Sequence, residues 1–192
     1  MRATIAMGSH IEERRMRGKP FALAMLLVLG LINWAGANDA ADVKEAHETI
    51  AVFEKTDPGL SGFFESAVGY VVFPTVKKGA IGIGGAGGSG VVFEKGQAIG
   101  KASLTQVTLG LQLGGQAYSE IIFFETAAAF TDFKKGSLAP AAQVSAVAAA
   151  AGAAANASYQ SGVAVFTAGK GGLMFEASVG GQKFGFEPFV NK

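Results

Sequence analysis

Residues Lys77–Phe93 read KKGAIGIGGAGGSGVVF, with glycine at Gly79, Gly82, Gly84, Gly85, Gly87, Gly88 and Gly90. Read as one extended strand, the stretch puts Ile81 and Ile83 on one face and Ala80, Gly82, Gly84 and Ala86 on the other. A strand face without side chains gains nothing from its own packing and costs backbone entropy. Such a face is kept where another element or a ligand must lie close to the backbone. Gly82, Gly84, Gly85 and Gly87 are therefore read as structural glycines, and the sheet built around them as a binding module.

Upstream, Arg14, Arg15, Arg17 and Lys19 form a basic segment, Phe21–Ile32 (FALAMLLVLGLI) an apolar one, and Ala35-Gly36-Ala37 a small-residue cleavage pattern. That order is the grammar of a secretory signal. The apolar run falls short of the roughly 20 residues of a membrane span. Residues 1–37 are thus expected to be removed, leaving 38–192 as one exported domain in the periplasm or cell envelope. The leader takes five of the 16 basic and two of the 15 acidic residues with it, so 38–192 carries a net charge of −2. No arginine remains after Arg17, which argues against nucleic acid as a partner. Cysteine is absent, so neither a disulfide nor a thiolate metal site can form.

Along the domain, Val43, Ala46, Ile50 and Phe53 share one face of a helix over 38–55, with Asp39 or Asp42 as its cap. This helix either docks on the sheet or lies at a membrane surface. Asp57-Pro58 opens a second, short helix bearing Phe63 and Phe64. A first strand, Tyr70–Phe73, is expected to stop at Pro74. Ser103–Leu113 and Gln116–Phe124 alternate as strands, with Gly114-Gly115 as the hairpin turn between them. Thr126–Lys135 reads as a short helix closed by Gly136. Gly162–Ala168 and Gly172–Val179 read as a hairpin across Gly169-Lys170-Gly171, and Gln182–Phe189 as an edge strand. The fold expected is α+β: a mainly antiparallel, strongly curved or barrel-like sheet, with N-terminal helices and one short mid-chain helix packed on it.

Catalytic patterns are poor. Gly82-x-Gly84-x-x-Gly87 matches the dinucleotide fingerprint in letters, but a strand follows where the mechanism needs a helix N-terminus. His47 is the sole histidine of residues 38–192 and sits far in sequence from the serines. No His/carboxylate spacing suits a metal. Glu120, mid-strand, is read as facing solvent. No cofactor, metal or enzymatic activity is expected.

The chain resembles the SYLF family of lipid-binding domains from about Ala46 to Phe186. The carriers are Gly69-Tyr70-Val71-Val72-Phe73-Pro74, Lys78-Gly79-Ala80, the run Ile81–Val92, Gly110–Gln116 leading into Glu120-Ile121-Ile122-Phe123, and Lys170-Gly171-Gly172-Leu173 with Glu176-Ala177-Ser178. The resemblance implies a non-enzymatic domain that binds membrane phospholipid. Alanine-rich 141–157 favours helix on propensity, whereas the family pattern makes 142–150 a strand. Eukaryotic members favour phosphoinositides and some bind actin; this chain has no partner domain and no arginine in the domain, so actin is not an expected partner. A monomer is expected. Val43, Ile50, Phe53, Phe63 and Phe64 are the candidate apolar lipid contacts, and Lys77, Lys78 and Lys101 the candidate headgroup cations. Three other readings stay open: a carrier enclosing an apolar ligand, a structural or interaction protein of the cell envelope, and an outer-membrane barrel.

Overall fold

The computed structural model describes residues 20–81, 83–109, 114–137, 146–170 and 181–190. The chain divides into two compact units, Met1–Asn38 and Asp39–Lys192, and the second carries the sheet.

Helix α1 (Pro20–Thr56) enters this second unit at Asp39. Asp39 and Asp42 therefore lie inside a helix and do not cap one. A single 3-10 turn, Pro58–Leu60, and α2 (Ser61–Ser66) come after it. The Asp57 carboxylate caps the turn by accepting from Gly59 N, and its second oxygen accepts from Ala154 N at 2.6 Å. Among the described residues seven strands come next: β1 (Gly69–Ile81), β2 (Ile83–Glu94), β3 (Gln97–Leu109), β4 (Gly114–Phe124), β5 (Val147–Ala148), β6 (Val163–Lys170) and β7 (Gln182–Pro188). Helix α3 (Ala127–Lys134) lies between β4 and β5, with Thr126 as its side-chain N-cap and Gly136 at φ +71° just past its end.

The sheet order is β5-β6-β4-β1-β2-β3-β7, antiparallel throughout except for the two-residue parallel pair β5–β6. It has two edges and is not closed into a barrel. It is nevertheless strongly curled. In a flat sheet β4 and β7, four positions apart, would be separated by about 19 Å. Here the Gln182 amide of β7 donates to Glu120 of β4 at 3.1 Å, and the rings of Phe73 (β1) and Phe184 (β7) stand 6.1 Å apart.

Several expectations change. The glycine stretch is not one strand but the tip of the β1–β2 hairpin: Ile81 pairs with Ile83, Ala80 with Gly84, and Gly79 with Gly85. Gly82 falls outside the described residues. Gly114 and Gly115 are not a turn. They pair with Ala80 and Gly79 of β1, and β3 and β4 lie on opposite sides of the β1–β2 hairpin. Pro74 does not end the first strand, which runs on to Ile81 through a bulge. Phe73 and Pro74 together face Gly90 of β2, and Pro74 and Thr75 together face Ser119 of β4. A bulge is where a proline without an N–H can sit inside a central strand. Ser119 Oγ then donates to the Pro74 carbonyl at 2.7 Å. Gly90 completes the device: a Cβ there would stand 2.4 Å from Val72 O and 2.7 Å from the Phe73 ring. Gly169 and Lys170 belong to β6, paired with Tyr118 and Ala117. The expected strand Gly172–Val179 lies outside the described residues. Of 142–150, only Val147–Ala148 are strand among the described residues.

Both faces of the sheet carry core. The convex face packs Tyr70, Val72, Val91, Phe93, Ile121, Phe123 and Phe166 against Ala46 and Phe53 of α1 and Leu60. The concave face packs Val71, Phe73, Val92, Leu104, Ile122 and Phe184 around α3, whose Phe133 ring lies 4.9 Å from Phe124 and 5.4 Å from Phe184.

Candidate functional site

Helix α1 covers only part of the convex face. Towards the hairpin tip Lys77, Gly79, Gly85, Ser89 and Thr105 are exposed, and Val107 is 73% exposed. Where this bare surface meets α1 there is a hollow of about 310 Å³, lined by Asp42 and Glu45 of α1, Thr75 and Lys77 of β1, Gly87–Val91 of β2 and Lys101 of β3. A second, of about 290 Å³, lies between Glu45, Glu48 and Val52 of α1 and Ser119 and Lys170 of β4 and β6.

The three lysines singled out from sequence do not converge. Lys77 and Lys101 share the first hollow. Lys78, one residue on, points by strand alternation to the concave side. Lys101 is bound by two carboxylates of α1, Asp39 at 2.9 Å and Asp42 at 2.7 Å. Its hydrogen bonds to Asp42 and Asp39 raise its pKa. Lys170, which the sequence pattern places in a turn and outside the candidate set, joins this surface. It sits on the same rung as Lys77, one strand removed through Ala117, and donates to Thr75 Oγ1 at 2.7 Å. Among the described residues neither Lys77 nor Lys170 has a carboxylate within ion-pair distance.

The apolar candidates are spent on folding. Phe53 is wholly buried, and Val43 and Ile50 are half-buried against the convex core. Phe63 and Phe64 lie in an aromatic cluster, 5.0 Å from Phe166 and 4.8 Å from Phe123 respectively. Among the described residues, the large apolar side chains exposed on α1 and the bare face are Val52 and Val107. Of the candidate glycines, Gly84 is buried, Gly85 exposed and Gly87 half-buried. A Cβ would meet only ordinary contacts at Gly85 and Gly87, and nothing within 4 Å at Gly79. Within β1 and β2, close approach at these tip glycines is thus replaced by close approach at Gly88 and Gly90, beside the bulge.

The concave face holds a group that the sequence pattern places in solvent. Glu120 is 1% exposed. Its Oε2 accepts from Gln182 Nε2, while Oε1 has no partner among the described residues. The hydroxyl of Thr167, directly opposite on β6, and the Gln182 amide oxygen likewise have no partner among the described residues. Tyr118, two residues before Glu120, is buried beside them, and burial, with the Glu120 charge, pushes its phenol up. Burial pushes the Glu120 carboxyl up to about 7, opposed by the Gln182 hydrogen bond.

The sheet is open and curled, helices cover part of its convex face, and among the described residues there is no cluster of three metal-ligating side chains. Residues 105–192 match the profile of the Ysc84 family, described as Las17-binding protein actin regulator. Over those residues the chain is similar to this family, the SYLF family. Among characterised proteins, beta cell expansion factor A of Aeromonas veronii is 28% identical over 130 residues, 66% of this chain and 49% of that protein. The chain thus spans about half the length of that relative. Neither description names an enzyme.

Proposed function

We propose that this chain is an exported, non-enzymatic phospholipid-binding domain that attaches peripherally to membranes of the cell envelope. Residues 1–37 act as a removed signal and 38–192 as a monomeric domain; the boundary between the two compact units, after Asn38, falls one residue beyond the proposed cleavage point. Similarity to the SYLF family supports the lipid reading, because lipid binding is a general property of SYLF domains. The observation that carries it is the exposed convex surface at the hairpin tip. There Lys77 and Lys170 stand without carboxylate partners among the described residues, over a floor of glycine backbone, flanked by exposed Val52 and Val107. A lysine near an anionic bilayer contributes about 1 kcal/mol. The glycine floor lets a headgroup come close to the backbone, and the two valines supply shallow apolar contact.

Co-sedimentation with phosphatidylcholine vesicles, with and without phosphatidylglycerol, tests the proposal. Binding that grows with the anionic lipid is expected. A protein that stays in the supernatant with both compositions refutes it.

A further inference from the structure

The concave polar cluster has no place in that proposal and stands independently of it. We propose that Glu120, Thr167 and Gln182 form a binding site for a primary ammonium group. The atoms left without partners among the described residues, Glu120 Oε1, Thr167 Oγ1 and Gln182 Oε1, are all oxygens able to accept, and they lie on three strands, β4, β6 and β7. They are neighbours by construction: Glu120 and Thr167 face each other across the β4–β6 ladder, and Gln182 already touches Glu120. Three acceptors match the three N–H donors of an –NH3⁺ group.

The charge balance points the same way. Where a buried carboxyl ionises, a partner of opposite charge stabilises it. Among the described residues, the groups facing Glu120 are Tyr118 on its own strand, Thr167 on β6, and Gln182 on β7 with Gln106 opposite it on β3; none is basic. Lys78, on the same face, sits four rungs away, opposite Gln116. A divalent cation fits less well, because hard cations take six or more oxygens and this cluster offers one carboxylate and two neutral oxygens. From Gly84 to Gly90 β2 presents Gly84, Ala86, Gly88 and Gly90 to this wall, so little side-chain bulk there competes for the space.

The test uses the full chain, labelled so that the Glu120 carboxyl carbon is followed by NMR through a pH titration. Methylammonium chloride is compared with tetramethylammonium chloride, which has the same charge and no N–H donor. Methylammonium is expected to lower the Glu120 midpoint by about half a unit or more, roughly a threefold change in proton affinity, and tetramethylammonium to leave it in place. In Glu120→Gln, an uncharged variant of the same shape, methylammonium-dependent shifts of the Thr167 and Gln182 amides should vanish. Equal response to both salts, no response to either, or a response that survives Glu120→Gln would each overturn the assignment and leave the three oxygens to internal water.

Discussion

Two alanine substitutions, one opposite the bulge and one near the tip of the β1–β2 hairpin, separate two kinds of glycine. At Gly90 a methyl group would stand 2.4 Å from the Val72 carbonyl oxygen and 2.7 Å from Phe73 Cδ1. The nearest atom is backbone in a paired strand, so relief requires moving β1 at its bulge. Overpacking of this kind costs about 1–3 kcal/mol, and the immobile partner places Gly90→Ala towards the upper end. At Gly79 nothing lies within 4 Å of the added carbon. There the substitution removes unfolded-state freedom without a clash, a gain of about 0.5–1 kcal/mol. The two variants should therefore move in opposite directions and differ by about 3 kcal/mol. For a chain of this size that is roughly 6–12 °C in Tm. Urea unfolding and calorimetry of the two proteins measure it directly. Shifts of the same sign, or a gap below about 1 kcal/mol, would refute the view that the backbone is closely approached at the bulge and open at Gly79 near the tip.

Other expectations are equally open to measurement. Phe53→Ala empties a wholly buried site between α1 and the convex face and should lower unfolding stability by about 3–5 kcal/mol, read from the urea midpoint. Glu120 has a folded pKa near 7 against 4.5 for the free group; because it is raised, its contribution to stability is complete below 4.5 and is lost as pH climbs through 7. Stability of the protein should fall across that window by up to about 3 kcal/mol, and Glu120→Gln should flatten the fall; an unchanged slope in the variant would contradict the buried carboxyl. Replacing Lys77 and Lys170 together with glutamine should weaken partition onto phosphatidylglycerol vesicles roughly 30-fold. Lys78→Gln, altered on the other face, should bind as the parent does.

Local chemistry is readable where it acts locally. The apolar stripe of α1, the Asp57 and Thr126 caps, the α3 helix and the edge strand β7 all come from spacing and capping within a few residues. Pairing is not readable in this way. Ser103–Leu113 and Gln116–Phe124 look like hairpin partners because they are consecutive, but alternation says nothing about which strand a neighbour chooses. Here the earlier hairpin β1–β2 separates them. Pro74 misleads for a related reason: it ends strands that cannot bulge, and the glycine that permits the bulge, Gly90, lies on the other strand. Glu120 is misplaced because alternation assigns a residue to a face without saying whether that face is wet. In this sheet both faces carry core, so the polar side of β4 is as buried as the apolar one. Lys170 is legible as a cation but not as a neighbour of Lys77, since that adjacency passes through β4.

The position of α1 decides how the domain can meet a membrane. An amphipathic helix could in principle leave the sheet and lay Val43, Ile50 and Phe53 into lipid. That exchange would uncover not only the helix stripe but also Tyr70, Val72, Phe93, Phe123 and Phe166, which the helices and the Leu60 turn cover. Burying one such aromatic or branched side chain is worth about 1.5–3 kcal/mol. A bilayer that accepts the helix repays only the helix side, while the sheet side would lose several such contributions. The Asp39 and Asp42 contacts to Lys101 would be broken as well. Attachment with α1 still docked, through the lysine-bearing hairpin surface, is therefore the less costly route. Amide hydrogen exchange in the presence of anionic vesicles distinguishes the two. Protection of residues 43–55 should be unchanged on binding, while exchange slows along β1 and β2 near Lys77 and Gly85. Loss of protection in 43–55 on vesicle binding would show that the helix leaves the sheet and that lipid outweighs its docked contacts.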